Sequence, residues 1–310
     1  MLLGGLVGRR FFSSNIGFIG LGNMGLPMVR NLLKHGNKVT AFDISEPACT
    51  AAAQAGAVIK SSIAEVSKEK DVVVTMLPEG KDVRKALTSP DGVFANAAPG
   101  TVIFDSSTIA PKESLELMLE GKKKGFITAD APVTGGTLGA EAGTLTYLVG
   151  CEKDNFPKIK KTVSQMGKNI FHCGELGAGA SAKLCNNLAF AIQMRSVAEA
   201  MSLGQKLGLD AKLLSEIMVN GSSRCFSVET YHPVPGIKEG VPSSNKYDGG
   251  FPTSLIRKDL ALVRDAAEEV GLNLEMSKKC EELYSRLEKL GHGRKDFSIV
   301  YQHVYHRGEF

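Results

Sequence analysis

The 310-residue chain lacks any apolar run near the roughly 18 uninterrupted residues that a membrane span requires. Stretches such as Leu188–Ile192 are far too short. It also lacks a strong charge of either sign. Its 37 Lys and Arg against 33 Asp and Glu leave +4, too mild to point to a nucleic-acid partner. The lysine clusters Lys122–Lys124, Lys160–Lys161 and Lys278–Lys279 are short and scattered, and read as solvated helix faces. No C-x-x-C pair occurs among Cys49, Cys151, Cys173, Cys185, Cys225 and Cys280. A chain this long needs no disulfides, so reduced and mostly buried thiols in a reducing compartment are expected. No H-E-x-x-H occurs, and no metal is expected. His303 and His306 read as part of a surface helix. There is no internal repeat and no low-complexity tract. The 34 glycines have no collagen period and should sit in turns and ligand loops. What remains is an ordinary globular composition, 43% hydrophobic and 23% charged, at a length that suggests about two domains.

Acid is missing from the first 42 residues, since the first carboxylate is Asp43. Met1 to Asn15 reads MLLGGLVGRRFFSSN, with Arg9 and Arg10, hydroxyls and small apolar residues. That is the composition of a mitochondrial transit peptide. A secretory signal places its charge before the apolar core, and here the charge follows it. Residues 1–14 are therefore read as a leader for import into the mitochondrial matrix. Its removal would take two arginines and lower the net charge from +4 to +2.

From Ile16 onward short apolar runs alternate with helical stretches. Strands are expected at Ile16–Gly20, Lys38–Asp43, Asp71–Leu77, Thr101–Asp105, Phe126–Ala131, Thr144–Val149 and Asn169–Cys173. Helices are expected at Met24–His35, Pro47–Ala55, Pro111–Lys124 and Asp154–Met166. The run Asp71–Leu77 is nearly all apolar, as for a strand buried on both faces. Such alternation is the pattern of a doubly wound, mostly parallel α/β sheet. After Gly174 the strand signal disappears. Ala180–Leu207 holds no proline and only one glycine, Gly204, which predicts a helix of about 42 Å. Leu184, Leu188, Ile192, Val197 and Met201 fall near helical spacing along it. Ala211–Val219, Leu255–Val270, Glu275–Leu290 and Phe297–Tyr305 are further helices, and Gly221–Pro252 reads as an ordered loop. The expected domains are residues 15–176, a dinucleotide-binding domain, and residues 177–310, an all-α C-terminal domain for substrate and oligomerisation. The long helix joins them.

Gly20, Leu21, Gly22, Asn23, Met24 and Gly25 form a G-x-G-x-x-G between the first strand and the first helix, the context that gives the motif its meaning. Gly20 permits the tight turn, Gly22 lets a pyrophosphate approach, and Gly25 lets the helix pack closely. The N–H groups at the helix start favour phosphate. Asp43 ends the second strand, where a carboxylate accepts hydrogen bonds from a ribose 2′-hydroxyl and repels a 2′-phosphate. That favours NAD over NADP.

Phe18–Asn31, FIGLGNMGLPMVRN, resembles the opening signature of the β-hydroxyacid dehydrogenase family. Three more blocks resemble that family, in its order. They are Asp130–Gly136 (DAPVTGG), Gly177–Asn187 (GAGASAKLCNN) and Lys258-Asp259-Leu260. The resemblance runs from about Ile16 to the C-terminus. It implies a Rossmann domain followed by a helical domain, with NAD across the strand ends. A small hydroxyacid substrate would lie in the cleft between the domains. It also implies a homodimer or homotetramer.

By the same resemblance Lys183 is the catalytic group. Lys183 and Asn187 are i and i+4, so they share one helix face. Oxidising an alcohol by hydride transfer requires removal of the hydroxyl proton, and a lysine does this when its pKa falls from about 10.4 toward about 7–8. Burial beside a cationic nicotinamide pushes it that way. Asn187 orients substrate without adding charge. Thr134, Gly135 and Gly136 offer a hydroxyl and unobstructed N–H groups to a carboxylate. The family usually has Ser at Thr134, so its extra methyl narrows the pocket. Leu77 and Pro78 would contact the adenosine half, Thr108 the nicotinamide half, and Lys258 would close over the cofactor. Asp82, where relatives often have Asn, is left outside the site. Asp259 reads as a helix-face carboxylate. The alternatives are a sister enzyme acting on tartronate semialdehyde, glyoxylate or succinic semialdehyde, and a non-catalytic dinucleotide-binding scaffold. Lys183 argues against the scaffold. A 6-phosphogluconate enzyme would usually be longer, and Asp43 disfavours its NADP.

Overall fold

A computed structural model describes residues 13–308. Most of the expected leader, residues 1–12, lies outside the described residues. The chain divides into two compact units, one up to residue 180 and one from residue 181.

The first unit is built on a nine-stranded sheet among the described residues. Its strands are β1 (Asn15–Ile19), β2 (Lys38–Phe42), β3 (Val58–Ile59), β4 (Val72–Thr75), β5 (Val102–Asp105), β6 (Ile127–Asp130), β7 (Val133–Thr134), β8 (Leu145–Gly150) and β9 (Gly167–Gly174). The spatial order is β3-β2-β1-β4-β5-β6-β8-β7, with β9 also paired to β8. The first six strands are parallel. Their order reverses between β1 and β4, which is where a doubly wound sheet opens a crevice at its carboxyl ends. Period-two alternation fills both faces. Val72 and Val74 join the apolar cluster on one side with Phe18 and Phe104, while Val73 joins Ile19 and Ile103 on the other. The register sets Ile19, Thr75, Asp105 and Asp130 in one row at that carboxyl edge.

The doubly wound, mostly parallel sheet agrees with the sequence pattern. Two short strands, β3 and β7, were not expected, because two residues are too few for alternation to register. β8 runs antiparallel to β6 and β7 and parallel to β9, with register shifts at both ends. The expected helix 154–166 is a 3-10 turn, Lys153–Asn155, followed by the helix Phe156–Val163. Pro157 sits in that helix's first turn, where its missing N–H costs nothing.

The second unit is helical. Its elements include Ala178–Lys206, which starts in the first unit, then Ala211–Asn220, Thr253–Glu269, Glu275–Leu287 and Val300–Tyr305. On the long helix the buried positions include Ala180, Lys183, Leu184, Asn187, Ala191, Met194, Val197, Ala198 and Met201, a stripe at i, i+3, i+4 spacing. Leu188 and Ile192 lie beside this stripe and are only partly buried. The helix expected to reach 290 is α-helical to Leu287 and continues as a π-helical turn, Glu288–His292, which Gly291 at φ +91° breaks. Asp296 is fully buried and ties the 221–252 loop down, accepting from Phe251 N at 2.7 Å and Tyr231 Oη at 2.5 Å.

Two expectations need correction. Only Cys151 and Cys280 are buried, while Cys185 is exposed and the other three are intermediate. His303 is buried at 9% exposure, because the last helix packs Val300 and Tyr301 inward and carries His303 with them. Among the described residues no helix is long and apolar enough to cross a membrane.

The long helix is anchored at its start by Asp130. This carboxylate, 1% exposed, accepts from Gly177 N and Ala180 N, each at 2.7 Å. A helix N-terminus leaves such N–H groups without intrahelical partners, and an anion there is favoured by the dipole. Asp130→Ala would strand two buried donors, each worth about 1–3 kcal/mol. Urea denaturation should show a loss of about 2–4 kcal/mol. A change below about 0.5 kcal/mol would contradict this anchoring role.

Candidate active site

The glycine turn grows directly out of β1. Gly20 has φ +98°, and its N–H donates to Phe42 O at 3.0 Å. Gly25 opens the helix Gly25–Lys34 pressed against the Gly20 carbonyl, with no room for a Cβ. A Cβ on Gly22 would meet nothing within 4 Å, so this side of the turn is open to a ligand. Asn23 is exposed and Met24 half-buried. Leu21 is buried, and its N–H donates to Asp43 Oδ2 at 2.6 Å, while Ser45 N donates to Oδ1 at 2.7 Å. Asp43 therefore braces two turns at once. Each of its oxygens keeps a further lone pair for a ribose hydroxyl. An open glycine turn, a helix start and this carboxylate fit a dinucleotide.

A hydrogen-bond chain holds the neighbouring strand ends. Thr75 Oγ1 and Ser107 Oγ donate to Asp105 Oδ1 at 2.7 and 2.6 Å. Leu77 N in turn donates to Ser107 Oγ at 2.8 Å. Asp105 is 1% exposed, so its charge is compensated by these donors and by Ser107 N at 3.1 Å. The chain places Leu77, Pro78 and the half-buried Thr108 at the same edge as the glycine turn. Leu77 Cδ2 stands 3.0 Å from where a Cβ on Gly20 would be. Asp82 is half-buried in the first turn of the helix Gly80–Thr88.

Thr134 ends β7, paired with Thr146 of β8. Gly135 and Gly136 follow with φ of +121° and +62°, a backbone that other residues hold only under strain. Both are exposed, and nothing lies within 4 Å of a Cβ built on Gly136. These three residues are thus together on one sheet edge with their backbone accessible.

In the second unit Lys183 and Asn187 lie on the buried stripe, at 9% and 2% exposure. Removal from water lowers the Lys183 pKa to about 8. The Lys258 charge adds to that lowering, and Asp259 opposes it. Asn187 Nδ2 donates to Asp259 Oδ2 at 2.5 Å, and Asn187 Oδ1 accepts from Asn186 Nδ2 at 3.1 Å. Lys258 Nζ sits 3.3 Å from Asp259 Oδ1. Sequence reasoning had placed Lys183, Asn187 and Lys258 in the site, and this unit brings all three around one carboxylate.

That carboxylate was missed. Asp259 is 2% exposed and belongs to the inner face of Thr253–Glu269, with Ile256, Leu260 and Val263. A charged residue set in an apolar i, i+3, i+4 stripe was the available signal. Asp105 and Asp130 were also unassigned. Both end buried parallel strands, where a carboxylate must have partners.

Known proteins resemble this chain over most of its length. Residues 15–174 match the NAD binding domain of 6-phosphogluconate dehydrogenase. Residues 177–304 match the family described as NAD-binding of NADP-dependent 3-hydroxyisobutyrate dehydrogenase. The chain is 43% identical to mouse mitochondrial 3-hydroxyisobutyrate dehydrogenase, over 93% of this chain and 86% of the relative. It is 42% identical to an NAD-dependent L-serine dehydrogenase of Pseudomonas aeruginosa, over 92% of this chain and 96% of that protein. The solved structure of Mycobacterium tuberculosis 3-hydroxyisobutyrate dehydrogenase with L-serine superposes with a TM-score of 0.88 at 38% identity, covering 94% of this chain and 99% of that one. An intact glycine cradle and a buried, low-pKa lysine thus occur in a chain that aligns with a dehydrogenase over 93% of its length, and the chain belongs to the β-hydroxyacid dehydrogenase family as an NAD-binding oxidoreductase.

Proposed function

We propose that the protein oxidises 3-hydroxyisobutyrate to methylmalonate semialdehyde in the mitochondrial matrix, a step of valine breakdown. The observation that carries the reading is Lys183, an amine held at 9% exposure with its pKa lowered to about 8. At that value it takes a hydroxyl proton near neutral pH and returns it in the reverse direction. Bound NAD supplies the hydride acceptor. Gly20–Gly25 and Asp43 hold the cofactor, with Leu77, Pro78, Thr108 and Lys258 completing its contacts. Asp43 favours NAD, because a 2′-phosphate would meet its carboxylate. Thr134, Gly135 and Gly136 hold the substrate carboxylate, and Asn187 orients the hydroxyl. Residues 15–176 serve the cofactor and residues 177–310 the substrate and assembly. Residues 1–14 act as the import leader, in keeping with the mitochondrial relatives.

A second substrate, L-serine, is favoured by one relative's name and by the ligand of one solved relative. It shares the carboxylate and the β-hydroxyl, and differs by an ammonium in place of a methyl group. Steady-state rates with NAD should favour 3-hydroxyisobutyrate over L-serine, glycerate and 4-hydroxybutyrate by about tenfold or more in kcat/KM. That ratio is what about 1.4 kcal/mol of pocket discrimination delivers. Rates with NADP in place of NAD should be far lower. A preference for L-serine would keep Lys183 and the family but overturn the substrate.

The reading also includes assembly of two or four copies. Leu203, Leu207, Leu213 and Ile217 of the helical unit are more than half exposed, an apolar surface of the kind that partners cover. Sedimentation as a monomer would contradict it.

A further inference from the structure

In the helical unit two lysines, Lys183 buried and Lys258 half-buried, lie near one buried carboxylate, Asp259. Asp259 stands on the inner face of Thr253–Glu269. Its Oδ2 accepts from Asn187 Nδ2 at 2.5 Å, and its Oδ1 lies 3.3 Å from Lys258 Nζ. Asn187 belongs to the long helix, one turn beyond Lys183. The carboxylate therefore ties the helix that carries the amine to the helix that carries the second lysine. It is 2% exposed, so water screens none of these interactions effectively.

We infer that Asp259 is the positioning residue of this site, fixing the Asn187 amide through one oxygen and pairing its other oxygen with the Lys258 charge, so that both are held beside the helix that carries Lys183. The inference rests on Lys183 being the acid/base of the proposed reaction.

The chemistry behind it is a matter of signs. Three influences act on Lys183: burial disfavours its ammonium, Lys258 disfavours it further, and Asp259 favours it. Both charged groups come from Thr253–Glu269, and the neighbouring position on the long helix holds the neutral Asn187. Without Lys258 the amine would lose the charge that disfavours its ammonium and would hold its proton more tightly. Without Asp259 it would lose the charge that favours its ammonium and would hold its proton less tightly. The pair together leaves it poised for both directions. Asn187 is held at both ends, since Asn186 Nδ2 donates to its Oδ1 at 3.1 Å, so its remaining N–H is aimed rather than free to rotate.

The test measures Lys183 directly. The rate of its acylation by an amine reagent is followed against pH in the whole enzyme, with the modified peptide quantified by mass. The wild-type midpoint should lie near pH 8. Asp259→Asn keeps the shape and removes the charge, so its midpoint should fall by about one pH unit. Lys258→Met removes the opposing charge, so its midpoint should rise by about one pH unit. The acid limb of kcat/KM for alcohol oxidation should move in the same two directions. A merely structural carboxylate would lower the melting temperature without moving either midpoint. Unchanged midpoints, or shifts of the same sign in both variants, would overturn the inference. If Asp259→Asn does not fold, Lys258→Met decides alone: a rise supports the balance and no change overturns it. Wild-type failure to turn over 3-hydroxyisobutyrate would sink the substrate reading while leaving the midpoints to decide this one.

Discussion

An amine removed from water is the constraint around which the helical unit is arranged. Lys183 occupies a position on the long helix that its neighbours Ala180, Leu184, Ala191 and Met194 mark as interior. Burial lowers its pKa to about 8, which places its protonation change inside the range where an alcohol dehydrogenase works. The sign for stability is unfavourable. The unfolded chain binds this proton more tightly than the folded one between about pH 8 and about pH 10.5, so stability from this group rises across that window. At pH 7 the arrangement costs on the order of 3 kcal/mol. Stability alone does not explain such a residue. The nearby Asp259 offsets part of the cost, and Asn187 gives the site a neutral polar group that adds no further charge.

The first unit solves a different problem, that of buried carboxylates at strand ends. Asp105 and Asp130 lie in the same register row, and both are 1% exposed. Asp105 is satisfied by Thr75 and Ser107, which lock the loops after β4 and β5. Asp130 is satisfied by backbone N–H groups at the start of the long helix. Burial nonetheless pushes the Asp130 pKa up to about 6, with nearby Asp105 adding to the rise. Asp43, at the end of β2, does for the glycine turn what Asp105 does for its neighbours. Carboxylates thus hold the loops of this edge in shape, and the open face of Gly22 and the exposed backbone of Gly135 and Gly136 are left for ligands.

Much of this was legible in the sequence because it depends on local spacing. The nearly all-apolar run ending at Leu77 announced a doubly buried strand, and the glycine motif between a strand and a helix announced the cradle. Lys183 and Asn187 were readable as a pair because four residues return to the same helix face. What stayed hidden depends on contacts distant in sequence. Asp259 pairs with Asn187 across 72 positions, and Asp130 with Ala180 across 50. Neither partner is implied by local pattern, although the apolar stripe around Asp259 marks its position as interior. β3 and β7 are held only by their neighbours, since two residues carry no period of their own. His303 was misjudged for a similar reason: its burial is set by how the last helix packs.

The most direct test of the account is the pH dependence of kcat/KM for NAD-linked alcohol oxidation in the wild type and in Lys183→Met. In the proposed reaction the base form of Lys183 is the active one in this direction, so the wild-type value should rise through a midpoint at or below about pH 8 and then level off. A bound cationic nicotinamide moves the midpoint only downward. The Lys183→Met variant should lose about 10²- to 10⁴-fold in rate and the midpoint with it, while still binding NAD. A variant that keeps the wild-type profile and most of the rate would contradict the assignment of the proton transfer to Lys183.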